Sequence, residues 1–104
     1  MPKIASKMQL YKGFAEEYKK RHGSIWPELS GLLKRYGISD YSIFLDDETY
    51  TLFATFTVEE PVRLDRLKSE EVMKKWWSYM RDIMETNEDN SPVSIPLQEV
   101  FYLP

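Results

Sequence analysis

The chain holds one histidine, His22. Imidazole is the only side chain whose ordinary pKa, about 6.5, lets it give and take a proton near neutral pH without a large environmental shift. Tyr18 lies four residues earlier, so on a helix the two rings share one face, one above the other. Gly23 follows His22 directly and places the imidazole near a helix end, outside the middle of a packed stripe. The residues alone leave two readings open. The imidazole can simply close a helix, where the dipole mildly favours a cation, or it can carry protons at the mouth of a pocket. Tyr18 shares that ambiguity: an aromatic on a core-facing stripe is ordinary, yet its hydroxyl, unlike the ring of Phe14, donates and accepts hydrogen bonds. Tyr41 is similar, because its neighbours in alternation, Ile43 and Leu45, argue for packing.

Trp76 and Trp77 are adjacent, and adjacent helical positions point about 100° apart, so both cannot occupy the centre of one stripe. One of them faces something other than the core. An indole stacks on the C–H face of a sugar and keeps an N–H for a hydroxyl, and it equally well seals a contact between subunits. Aromatic residues make up 14% of the chain, with three Trp and seven Tyr, which fits either a packed interface or a stacking pocket. Trp26 beside Pro27 reads as structural, Asp46 and Asp47 as turn formers, and Asn87, Asp89 and Asn90 as loop shapers.

Other chemistries are disfavoured. One histidine, no cysteine and acids scattered over solvated helix faces give no ligand spacing for zinc or iron. There is no glycine-rich phosphate loop, nucleophile elbow or dinucleotide fingerprint. Net charge is −3 and the basic residues are dispersed, so a nucleic acid is not an expected partner. The absence of cysteine fits a cytoplasmic home. The first residues lack the apolar run of a signal peptide, and no run reaches the roughly 20 apolar residues of a membrane span.

Around these residues, 104 positions allow one domain, expected to span residues 1–104, and 42% hydrophobic with 30% charged residues is a globular composition. Ala5 to Tyr11 alternates as a strand. Phe14 to His22 is an amphipathic helix, broken at Gly23-Ser24, with Ser24 expected to cap a second helix that runs until Gly37. Ile38–Leu45 and Tyr50–Val58 form a hairpin around the turn 46–49. Ser69 is expected to cap a helix whose inner face is Val72, Trp76, Tyr79, Met80 and Ile83, and a last strand runs from about Leu97 to Leu103. The order β-α-β-β-α-β is the ferredoxin-like α+β sandwich. Helices on one face leave the other open, with Tyr, Phe and Leu exposed at alternate strand positions, so a homodimer that covers them is expected.

Three segments carry a resemblance: His22-Gly23-Ser24-Ile25-Trp26-Pro27-Glu28-Leu29, Trp76-Trp77-Ser78-Tyr79-Met80, and Asn90-Ser91-Pro92-Val93 with the ending Leu97 to Pro104. Together they closely resemble the L-rhamnose mutarotase family over nearly the whole chain. The resemblance implies a dimeric α/β barrel type of ferredoxin-like protein, an isomerase interconverting the anomers of L-rhamnose in rhamnose metabolism without metal or organic cofactor. It places the family's proton donor on His22 and its sugar-contacting residues on Tyr18, Tyr41, Trp76 and Trp77, with no departure at a site position. The same fold leaves room for a non-catalytic dimeric binding module or a cofactorless oxygenase.

Overall fold

Most changes of hydrophobic period along the chain become element boundaries in the structure, a computed structural model that describes residues 2–104. Strand β1 (Lys3–Gln9) leads to helices α1 (Ala15–Gly23) and α2 (Pro27–Arg35), then to the hairpin strands β2 (Ile38–Asp46) and β3 (Thr51–Val58). A 3-10 turn, Pro61–Arg63, runs into the one-turn helix α3 (Leu64–Leu67), followed by α4 (Glu71–Met80) and the short strand β4 (Ile95–Pro96). The four strands form one antiparallel sheet in the order β2-β3-β1-β4. With helices packed on a single face, this is the expected ferredoxin-like arrangement.

The break between α1 and α2 falls where Gly23 and Pro27 require it, but the cap differs from expectation. Ser24 ends α1, its N–H reaching the carbonyls of Lys20 and Arg21 at 3.2 and 3.3 Å, and Trp26 precedes α2 in an extended conformation. Proline has no N–H and a fixed φ suited to the first helical position, so the cap falls on the residue just before it. Ser69 likewise yields the N-cap of α4 to Glu70. The Ser69 and Glu70 N–H groups both close the turn after α3, on the Arg66 and Leu67 carbonyls at 3.0 and 3.1 Å. Gly37 ends α2 at φ +77°, and a β-carbon there would lie 3.1 Å from Glu59 Cβ, so the turn into β2 admits only glycine comfortably.

The core lies between the sheet and α1, α2 and α4, with Leu10, Leu29, Leu32, Leu52, Val58 and Ile83 almost wholly buried. Ile38, Ile43, Leu45, Leu52, Ala54 and Val58 follow the pleat onto this covered face. The open face is in part the one expected. Its three long strands bring Thr51, Thr55, Thr57, Lys3, Lys7 and the pair Phe44 and Phe53 but no Tyr or Leu, whereas Leu97, opposite Ala5, and Tyr102, its ring 5.9 Å from Lys3 Nζ, come from the chain's last residues. Strict alternation along β2 would separate Ile38 from Tyr41. A bulge between Ser39 and Ser42, with Asp40 in the left-handed region at φ +51°, inserts one unpaired step and lets both face inward.

The last strand is far shorter than expected. Ile95 and Pro96 pair with Lys7 and Ser6, and Leu97 adds one N–H bond to the Ala5 carbonyl. Continued antiparallel from there, the register would spend the rest of β1 by Glu99, so the residues beyond have no strand left to join. Val100, Phe101, Tyr102 and Leu103 form an apolar arm, each at least 61% exposed. Tyr79, expected on the inner face of α4, is also exposed; Trp76, Met80 and Ile83 are buried there as expected, together with Met73.

Candidate active site

Helix α1 stacks His22 on Tyr18, ring centroids 4.2 Å apart and planes 25° from parallel, as the i, i+4 spacing dictates. His22 Nδ1 lies 3.1 Å from the Tyr18 carbonyl oxygen. A carbonyl can only accept, so Nδ1 carries the hydrogen and Nε2 is left free of the helix. Trp76 of α4 meets the imidazole edge-on, with centroids 5.4 Å apart at 90°. Trp26, at the head of α2, sets its ring perpendicular to Trp76 at 5.1 Å and stacks on Tyr79, so the helix break and the site share one aromatic cluster.

The opposite wall comes from the hairpin. Tyr41, within the bulge, stacks on Phe56 with centroids 5.0 Å apart. A cavity of about 80 Å³ brings together all five residues singled out in the sequence: Tyr18, His22, Tyr41, Trp76 and Trp77. Met8, Met73, Met80 and Met84 with Ile43 supply its apolar lining, and methionine adapts to irregular contours. The cavity opens into a wider groove between the sheet and the helices that shares the same five side chains. The adjacent tryptophans divide their work as helical geometry requires: Trp76 is buried in the core and touches the cavity, whereas Trp77 is half-buried at its wall.

Burial governs the electrostatics. It lowers the His22 pKa from the usual 6.5, an effect only partly offset by the Tyr18 carbonyl. It raises the Tyr18 phenol, with the neighbouring Tyr41 phenol adding to the shift, and it raises Tyr41 as well. Both tyrosines therefore stay protonated at neutral pH. The lining contains no carboxylate and no lysine, so His22 is the one group there that titrates near neutrality. Among the described residues no three His, Cys, Asp or Glu side chains converge as a metal centre would need.

Two features escaped the sequence reading. Arg21, beside His22, is a clamp with its side chain only 10% exposed. Its guanidinium donates to Glu17 Oε2 at 2.8 Å, to the Tyr79 carbonyl at 2.8 Å and to both Asp82 oxygens at 2.9 and 3.2 Å, and it lies 4.4 Å over the Tyr79 ring. The end of α1, carrying His22, is thereby tied to the end of α4, carrying Trp76. A planar five-donor group is the one side chain able to hold so many acceptors at once. The second feature is the loop after α4. Asn87 and Asp89 shape it through bonds with Ser91 as expected, but Thr86, Asn90 and Pro92 also line the cavity. The only hint in the sequence was a run of residues that favour turns.

Residues 3–103 match a family model described as L-rhamnose mutarotase. Among curated proteins, the L-rhamnose mutarotase of Formosa agariphila is 54% identical over 103 residues, covering 99% of each chain. That of Listeria monocytogenes is 52% identical over 103 residues, again 99% of each. The crystal structure of an L-rhamnose mutarotase from Formosa agariphila superposes with a TM-score of 0.93 at 53% identity over 100% of both chains.

Proposed function

The chain belongs to the L-rhamnose mutarotase family, and on that premise we propose that His22 moves the proton when the sugar ring opens. The protein is an isomerase that interconverts the α and β anomers of L-rhamnose. One observation supports the residue assignment above the others. The imidazole, one nitrogen tied to a carbonyl, stands in a cavity walled by phenol and indole rings that holds no competing acid or base.

In the proposed reaction, protonated His22 gives the Nε2 proton to the ring oxygen as the C1–O5 bond breaks. The electrons of the anomeric O1–H bond become the carbonyl bond, and that proton leaves to water. The aldehyde then turns about C1–C2. The C5 hydroxyl attacks the other face of C1 and returns its proton to Nε2, while O1 regains one from water. No proton is consumed. Burial makes the imidazolium a stronger acid than a free one, which eases the first transfer. Tyr18 and Tyr41, held neutral, orient hydroxyls, and the Trp76–Trp77 pair shelters the ring face and the C6 methyl.

Saturation-transfer NMR on L-rhamnose tests the assignment. His22→Ala is expected to lower the enzyme-dependent exchange by roughly 10²–10⁴-fold with an unchanged fold. Exchange at the wild-type rate would end His22's role.

A cytoplasmic location suits a chain with no cysteine. The working form in this proposal is a homodimer, formed where Phe44, Phe53 and the arm Val100–Leu103 leave apolar surface open. Sedimentation velocity is expected to return twice the chain mass.

A further inference from the structure

Asn90 is the one polar lining residue whose backbone conformation is itself unusual. It sits at φ +71°, in the left-handed region that few residues other than glycine and asparagine adopt readily. The loop does not depend on its side chain for shape. The Asn87 N–H donates to the Ser91 carbonyl at 2.7 Å and the Asn90 N–H to the Asn87 carbonyl at 2.9 Å. Asn87 Nδ2 reaches Ser91 Oγ at 3.1 Å, and Asp89 accepts the Ser91 N–H at 3.0 Å. None of these bonds uses the Asn90 carboxamide. Asn90 lines the cavity that holds His22, Tyr18 and Tyr41, and its carboxamide is left without a partner in the loop.

A carboxamide presents an acceptor oxygen and a two-donor nitrogen side by side. Adjacent sugar hydroxyls, each able to donate and accept, are the complement of that pair. The other lining residues offer one hydroxyl or one ring N–H each, so Asn90 alone can hold two neighbouring hydroxyls through one side chain. We propose that Asn90 is a specificity residue, gripping a pair of vicinal ring hydroxyls of the sugar so that the pyranose presents its ring oxygen to His22. This inference rests on the sugar-isomerase reading above.

Asn90→Gly is the decisive variant, because glycine keeps the left-handed conformation while deleting the carboxamide. The expected result is an unchanged thermal midpoint, a KM for L-rhamnose raised about tenfold or more, and a smaller change in kcat, as the loss of two hydrogen bonds would give. The ratio of kcat/KM for L-rhamnose over L-fucose, which differs in the configuration of ring hydroxyls, should fall as well. Asn90→Asp, similar in shape and tolerance of the conformation, removes the two donors and should raise KM by itself. Wild-type KM and an unchanged sugar ratio in both variants would overturn the proposal. Titration of L-rhamnose followed by tryptophan fluorescence separates the two readings. If wild type binds the sugar without exchanging its anomers, the catalytic reading falls, and weaker binding by Asn90→Gly would still uphold the grip. Equal binding by Asn90→Gly and wild type would remove it.

Discussion

The two faces of the sheet come from the same three long strands and have little in common. The covered face carries Ile43, Leu52, Ala54 and Val58, and between Ile38 and Ile43 it gives way to Tyr41 and the aromatic cavity. The open face carries lysines and threonines around a single pair, Phe44 and Phe53. A side-chain period of two lets each strand serve both without compromise. The contrast teaches that the cavity is a continuation of the core, in which the same kinds of residues pack until hydroxyls and one imidazole interrupt them. Substitutions on the covered face should therefore disturb folding and catalysis together, and those on the open face should disturb neither within one subunit.

Trp76→Ala is the severest test of that coupling. Trp76 is 6% exposed and touches His22, Trp26 and Tyr79. Its loss should cost about 3–5 kcal/mol in urea unfolding and abolish sugar binding in the folded fraction. Retained binding with lost stability would separate core from site. Asp40→Val should have a smaller effect. A β-branched residue is poorly accommodated at φ +51°, so about 1–2 kcal/mol of destabilisation is expected, accompanied by reduced kcat/KM through Tyr41. Asp40→Gly should leave stability unchanged or raise it slightly.

Titration sharpens the same comparison, because His22 lies on the covered side, in the cavity. The folded state holds the His22 proton less tightly than the unfolded chain. Stability from this source is complete above 6.5 and declines as pH falls below that value, where the unfolded chain takes up the proton first. Urea midpoints between pH 5 and 8 should show that decline in wild type and a weaker one in His22→Gln. For the reaction as proposed, the enzyme-dependent rate should drop as pH rises past the His22 pKa and the donor is lost. A rate that climbed instead would make His22 the base at O1. The smallest effect belongs to the other face. Phe44, 65% exposed, should be replaceable by threonine within about 0.5 kcal/mol in the single subunit, with the change read as weaker self-association in sedimentation velocity.

Much of this was legible before any coordinates. The Tyr18–His22 pair, the helix break at Gly23, the hairpin and the unequal tryptophans follow from spacing and backbone preference, which are local properties. The features that were not legible depend on partners distant in sequence. Arg21 reads as one more basic residue on a solvated helix until Tyr79 and Asp82 arrive from the far end of the chain. Asn90 reads as a turn former because its role depends on which wall the loop is laid against. Ser24 and Ser69 both looked like caps because residue type alone does not reveal that Pro27 and the end of α3 had already settled those positions. The final strand failed for a related reason: its sequence could pair, but β1 offers no length to pair with.

Asp40 separates the needs of the core from the reach of the cavity wall. It is the one position in β2 that could drop out while every neighbour still pointed the way it does now, Ile38 and Tyr41 inward, Ser39 and Ser42 outward. Losing it would leave the interior filled but straighten the ribbon, drawing the Tyr41 phenol away from the imidazole across the cavity. This single residue sets how far the phenol extends into the cavity without rebuilding the packing behind it.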